Sequence, residues 1–402
     1  MSTLNSQQLI EAANQFGTPL YVYHAEKIGE QYESLKKAFA DTDVRFFYAA
    51  KALTNINVLR YIKSTGCNID CSSINEVKLA VLAGFQPDQI LYTSNNILFE
   101  EIREAKETGV HINIDSISNL RKFGQAYGGT YPVGVRLRPN IMAGGNLKIS
   151  TGHSDSKFGV PLEELDELLK VQQETGLWIR TLHIHTGSEI KDVEVFAKGV
   201  EVLLDIVHHF PKAEVIDLGG GFKVPYIPGE EGTDISRLGA KLKQEFDAFE
   251  IKSGRHLQVW FEPGKFLVSD AGKFLVTVSV LKKAGDTWFA GVNSGLNHLI
   301  RPMFYGAYHH IENLSNPTGA THYYNVVGNI CETDNFAENR PLPEIREGDL
   351  LAFQNAGAYC FEMSSWYNSR FRPAEVLFEN GKCRLIRKRD EMEDLLNNQV
   401  IS

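Results

Sequence analysis

The sequence predicts an α/β fold: a closed (β/α)8 TIM-type barrel with a second, mostly β C-terminal domain. Three observations carry that expectation. Short runs rich in β-branched and aromatic residues alternate eight times with helix-patterned stretches over about 240 residues, the size and order of such a barrel. The C-terminal ends of those runs collect polar residues and glycines. From about Phe266 onward, strand-like runs follow one another without long helices between them.

The eight strands are expected in VRFFYAAKA (44 to 52), GCNIDCSSI (66 to 74), QILYTSN (89 to 95), VHINIDS (110 to 116), PVGVRLRPN (132 to 140), IRTLHIHTG (179 to 187), EVIDLGGG (214 to 221) and LQVWFEPG (257 to 264). Between them, INEVKLAVLAG spaces its apolar residues for a helix and ends on Gly84, and VFAKGVEVLLDIVHHF has the same periodicity. A doubly wound open sheet also alternates in this way and stays open as an alternative. The later runs KFLVTVSVLKKAGDTWFAGV, GDLLAFQNAG and PAEVLFENGKCRLIRK read as the β domain. The expected division is a barrel over 26–268 and a β domain over 269–402, with the N-terminal segment 1–25, which contains TPLYVYH, packed on the latter.

With 43% hydrophobic and 23% charged residues in 402, the composition is that of a soluble globular protein. A formal net charge of −9 argues against nucleic acid as partner and leaves small-molecule chemistry as the default. No basic n-region with an apolar core opens the chain, and no window reaches 18 apolar residues, so a cytoplasmic protein with no membrane partner is expected. Five cysteines (67, 71, 331, 360 and 383) in no framework spacing fit free thiols. The C-x3-C pair has no second pair to complete a zinc site, so Cys67 and Cys71 read as packed thiols.

Barrel chemistry sits at the strands' C-terminal ends. Those ends carry Lys51, Asp70 with Ser72, Asn95, Asp115, Arg138, His185, Gly219 to Gly221 and Glu262. A lysine in an apolar pocket becomes nucleophilic as desolvation lowers its pKa, although a lone lysine more often snorkels to solvent. His183 and His185 share one strand face, the spacing of a metal pair in barrel hydrolases, so a metal-dependent hydrolase is one alternative. His185 also suits a ring stacked on a planar cofactor. DLGGGF lets backbone N–H groups approach a phosphate closely, but it is no dinucleotide fingerprint. A lysine, a stacking imidazole, a glycine phosphate loop and a carboxylate together describe a site for pyridoxal 5'-phosphate, with no metal.

In FYAAKA, DCSSINEV, STGHSDSKFG, HIHTGSEI, DLGGGFKVPY, EPGKF, LIRPMFYGAYH, CETDNF, GAYCFEMSSWYNSR and RPAEVL, spread over residues 46 to 377, the chain resembles the alanine-racemase-fold (fold type III) pyridoxal-phosphate enzymes, and within them the diaminopimelate decarboxylases. The resemblance implies that Lys51 attaches the cofactor and His185 stacks on its ring. It implies that Ser188, Gly220, Gly221, Gly264 and Tyr359 meet the phosphate, that Asp70 is an acid near the lysine, and that Arg138 is a strand-end arginine of the site. Glu262 corresponds to the carboxylate on the pyridine nitrogen. Cys331 and Glu332 correspond to a thiol and carboxylate that reach the neighbouring subunit's active site, which makes the family a homodimer with shared sites.

The same resemblance implies decarboxylation of the amino acid meso-2,6-diaminoheptanedioate to L-lysine and CO2, the last step of lysine biosynthesis, with Cys331 a candidate proton donor. Arg301, Tyr305 and Glu332 would read the substrate's distal carboxylate and ammonium, with Tyr359 and Lys265 also near the substrate. Lys265 departs from the arginine usual after EPG; it keeps the charge and loses the fork. A relative acting on ornithine, arginine or a carboxy-polyamine is the near alternative, and Arg301 argues against it because a basic tail would not meet a second cation. A catalytically silent fold relative that only binds is the remaining reading, and Lys51, Cys331 and Glu332 count against it.

Overall fold

The computed structural model describes residues 4–139 and 156–401. The first six residues of STGHSDSKFG and the last of PVGVRLRPN lie outside them. Eight parallel strands stand where the sequence places them: Val44–Ala49, Asn68–Cys71, Ile90–Thr93, His111–Ile114, Val133–Arg138, Ile179–Ile184, Val215–Asp217 and Gln258–Phe261. The fourth pairs with the fifth at Asn113↔Gly134 and the eighth with the first at Val259↔Val44, so the sheet has no free edge and the barrel is closed. That closure sets aside the open sheet.

The intervening helices begin and end where local chemistry requires. In Ile74–Ala83, Ser73 caps the amide of Glu76 and the Glu76 carboxylate accepts from the amide of Ser72, while Gly84 closes the helix at φ 98°. Asp192 caps Val193–Ile206, which passes into a short 3-10 turn, Val207–His209. Low in the barrel, Phe47, Leu91, Val215 and Trp260 form a fully buried cluster. Arg45 and Arg180 lie 5.5 and 5.8 Å from the Trp260 ring, and His111 lies 4.9 Å from it. Removing a ring so placed costs about 3–5 kcal/mol through lost contacts and the cavity left behind.

Contacts divide the chain into two compact units: Gln31–Val224 with Glu231–Phe266, which holds the barrel, and Met1–Glu30 with Pro225–Glu230 and Leu267–Ser402. The second is built on a sheet whose central strand, Gly272–Ala284, pairs antiparallel with Leu20–His24, the strand formed by TPLYVYH. Leu20–His24 pairs in parallel with Ala374–Glu379 on its other side. A two-residue turn with Gly285 at φ 58° joins Gly272–Ala284 to Thr287–Val292, the conformation a tight hairpin asks of glycine. Leu9, Leu20, Val22, Leu275, Leu350 and Val376 fill its core. The short segment Pro225–Glu230 belongs here because the Tyr226 hydroxyl lies 2.7 Å from Ser269 Oγ and the Asn355 amide donates to the Pro225 carbonyl. All five cysteines are free, with Cys67, Cys71 and Cys360 buried and Cys331 exposed.

Candidate active site

Strand alternation decides which side chains enter the barrel lumen, and the polar ones form a connected group near the strands' C-terminal ends. Lys51 follows the first strand in a 3-10 turn, Ala50–Ala52, and its side chain stays 44% exposed. Its Nζ lies 3.6 Å from Oδ2 of Asp70, which is fully buried at the end of the second strand. Burial, then the nearby Glu262 carboxylate, hold the Asp70 pKa well above the usual range, with Lys51 opposing them.

Glu262, just past the eighth strand, is buried and has three neighbours. Thr93 Oγ1 donates to its Oε1 at 3.3 Å, His183 Nε2 lies 3.4 Å away, and a carboxyl oxygen of Asp217 lies within 4.8 Å. Burial and the Asp217 charge push Glu262 up to about 8; burial pushes Asp217 up to about 7 against the pull of the Gly219 amide. Arg136 is buried among these carboxylates and lies 4.6 Å from the Phe158 ring. His183 is driven well below its ordinary pKa by burial and by Arg136, so its imidazole is neutral.

His185 follows the sixth strand. Its Nδ1 accepts from the Gly220 amide at 3.2 Å, which leaves the proton on Nε2 of a neutral ring, and burial with Arg136 and Lys51 lowers its pKa accordingly. The glycine triplet is a close approach as well as a turn. A Cβ on Gly220 would stand 2.4 Å from the Glu262 carbonyl oxygen, and one on Gly221, at φ 106°, 2.4 Å from that of Gly187. Gly264 is buried between the eighth strand and the four-residue helix Lys265–Val268. Lys265 is ion-paired with Glu189, and its Nζ donates to Ser188 Oγ at 3.3 Å. Glu189 takes φ 63°, a left-handed backbone uncommon for a side chain of this size.

The structure therefore brings Lys51, Asp70, His185, Ser188, Gly220, Gly221, Glu262, Gly264 and Lys265 into the barrel unit. Arg138 is in the same unit but its guanidinium donates to the Ser156 carbonyl at 2.6 Å. Arg301, Tyr305, Cys331, Glu332 and Tyr359 belong to the other unit. Arg301 opens the helix Arg301–Tyr305, buried, with its guanidinium 5.3 Å from the Tyr226 ring and 5.9 Å from that of Tyr305. The exposed Cys331 amide donates to Asn368 Oδ1 at 2.8 Å, and the Tyr367 hydroxyl donates to Glu332 at 2.7 Å. Tyr359 stands at φ 57°.

Sequence reasoning passed over Asp217, Arg136, Asn113, Thr93 and Glu189. It paired His183 with His185, whereas among the described residues His183 groups its donor atoms, within 4.8 Å, with Asp217 and Glu262.

A barrel that ends its strands in an amine beside a buried acid, a neutral imidazole, a glycine turn and a carboxyl within the lumen fits pyridoxal 5'-phosphate. Lys51 offers the amine, the Gly219 to Gly221 turn an approach open to a phosphate, and Glu262 the group for the ring nitrogen. The chain is of the pyridoxal-phosphate decarboxylase class: residues 25–269 match the family model described as pyridoxal-dependent decarboxylase, pyridoxal binding domain. More narrowly, it belongs to the diaminopimelate decarboxylase family. It is 42% identical to the diaminopimelate decarboxylase of Methanothermobacter thermautotrophicus over 98% of this chain and 94% of that protein. Identity to the Escherichia coli enzyme of the same name is 32%, over 99% and 97%. The crystal structure of the Helicobacter pylori diaminopimelate decarboxylase complexed with L-lysine superposes with a TM-score of 0.88 at 30% identity, covering 98% of each chain. A lysine/ornithine decarboxylase of Vibrio vulnificus, at 23% identity and a TM-score of 0.81 over 93% of this chain and 96% of that one, shares the fold.

Proposed function

We infer that the chain decarboxylates meso-2,6-diaminoheptanedioate to L-lysine and CO2 with pyridoxal 5'-phosphate, as the last step of lysine biosynthesis. The observation that carries this reading is the convergence of Lys51, Asp70, His185 and Glu262 at the strand ends of one barrel, in a chain that aligns end to end with diaminopimelate decarboxylases.

The bound cofactor supplies the sink for the electron pair that CO2 leaves behind. Lys51 would provide the amine that holds the cofactor, with Asp70 as its counter-charge. His185, with its tautomer fixed by Gly220, presents a flat neutral ring to the cofactor's face. Ser188, Gly220, Gly221, Gly264 and Tyr359 bind the phosphate, and Lys265 contributes a single positive charge beside Ser188. Arg138, engaged with Ser156, borders the site.

At the substrate's far end, Arg301 and Tyr305 donate to the distal carboxylate and Glu332 accepts from the distal ammonium. Cys331 Sγ returns a proton to the carbon that has lost CO2. Because Cys331 and Glu332 lie exposed and make their hydrogen bonds only to Asn368 and Tyr367 among the interactions above, we assign them to the active site of a second copy, which makes the working unit a homodimer. Among the described residues no helix is long and apolar enough to cross a membrane, and we place the enzyme in the cytoplasm.

Purified protein loaded with cofactor is expected to absorb in the visible and to release CO2 from meso-diaminopimelate in preference to L-lysine or L-ornithine. Release from ornithine alone would leave the fold and cofactor standing and overturn the substrate.

A further inference from the structure

The barrel lumen holds more buried carboxylates than cations. Asp70, Asp217 and Glu262 share it with Arg136 and Lys51, and Asp115 lies near Arg136 at the end of the fourth strand. His183 on the sixth strand and His185 just past it, also turned toward the cluster, are neutral. Glu76, beyond Asp70, adds another negative charge. Asp217 and Glu262 bring carboxyl oxygens within 4.8 Å of each other away from water, and two carboxylates so placed cannot both be ionised at moderate cost, so one proton stays with the pair.

The donors decide where that proton sits. Asp217 accepts two N–H bonds, from the Gly219 amide to Oδ1 at 3.0 Å and from the Asn113 side chain to Oδ2 at 3.3 Å. Glu262 receives a single bond, from the Thr93 hydroxyl at 3.3 Å, whose own oxygen accepts from Asn113. N–H donors stabilise the anion, so Asp217 is the better carboxylate and Glu262 the better acid.

We propose that Asp217 is a positioning residue that keeps Glu262 protonated in the cofactor-free barrel, so that Glu262 reaches the cofactor's ring nitrogen as a carboxylic acid. On binding, Glu262 would give up its proton, to a neutral ring nitrogen or, where the ring is already protonated, to solvent, and would hold the ring nitrogen as a carboxylate. Asp217, anchored by Gly219 and Asn113, is the member of the pair that ionises first. The role toward the ring nitrogen rests on the proposed function; the stored proton belongs to the cofactor-free chain and is tested there.

The test is infrared titration of the cofactor-free full-length protein from pH 5 to 9, taken as the difference between wild type and Glu262→Gln to isolate one carboxyl group. A protonated-carboxyl band that bleaches near pH 8 is expected in wild type, and Asp217→Asn is expected to move the bleaching down by at least one pH unit, a tenfold easier ionisation. Absence of the band at pH 6, or an Asp217→Asn titration that overlays wild type, overturns the proposal. A second measurement does not depend on that variant folding. Calorimetry at pH 7 in two buffers of different ionisation heat counts protons as pyridoxine 5'-phosphate, which lacks the aldehyde and cannot react with Lys51, binds to the cofactor-free protein. The analogue's ring nitrogen is already protonated in solution at this pH, so wild type is expected to release one more proton than Glu262→Gln; equal counts overturn the assignment.

Discussion

At the barrel's strand ends, Asp70, Asp217, Glu262 and His185 are held by burial and by one another, and each has its protonation set by neighbours in the same unit. The segment at Cys331 and Glu332 is of another kind. It is exposed, and the hydrogen bonds described for it run to Asn368 and Tyr367, in a stretch where Asn368 and Ser369 both take positive φ. The first region is set before any ligand arrives, because burial and the charges around it already fix its protonation in the folded chain. The second presents a thiol and a carboxylate outward, which suits groups that act in a partner's site.

The comparison breaks first at Lys51. Lys51→Ala is expected to abolish visible cofactor absorbance and to cost more activity than the ~10²–10⁴-fold typical of a lost acid–base group. Retained absorbance would show that the barrel cluster does not hold the cofactor through this amine. Next in size is Cys331→Ala, for which kcat should fall within that ~10²–10⁴-fold range while the spectrum is unchanged. Mixing it with Lys51→Ala under conditions that exchange subunits should restore activity if sites are shared; no recovery would return Cys331 to its own chain. Arg301→Gln is expected to lower kcat/KM for diaminopimelate by about 10- to 150-fold, the equivalent of a charged hydrogen bond worth ~1.5–3 kcal/mol, mostly through KM. An unchanged KM would remove Arg301 from the distal carboxylate. The smallest effect is expected from Glu189→Gln: its ion pair with Lys265 is partly buried, and pairs of ~0–1 kcal/mol correspond to less than about a fivefold change in cofactor affinity by equilibrium titration.

Much of the barrel was legible because its strands are short, β-rich and bounded, and a strand's last inward residue is easy to see when it is a lysine, an acid or a glycine. Four overlooked residues lie inside the lumen in one register relation: Arg136 two before Arg138, Asp217 two before Gly219, Asn113 two before Asp115 and Thr93 two before Asn95. A step of two keeps the same face of a strand, so a polar residue two positions upstream of a functional end was the available signal. His183, noticed for its spacing to His185, obeys the same relation, and its true neighbours came from other strands that no local pattern could name. Glu189 left no trace of its kind, since its direction comes from a left-handed backbone that the sequence does not announce. In the β unit, the pairing of Leu20–His24 with strands more than 250 residues later is fixed by tertiary contacts alone, although TPLYVYH itself reads as a strand.

The glycine turn after the seventh strand bears on how mutational scans of this protein will read. An alanine at Gly220 or Gly221 meets a carbonyl oxygen of a neighbouring segment before it meets any ligand. Loss of activity in either variant would thus report a displaced loop, with lowered heat resistance as its companion, and a catalogue of inactive alanine variants would overcount the residues that touch phosphate. Comparing the melting temperature of each variant with and without cofactor separates the two causes.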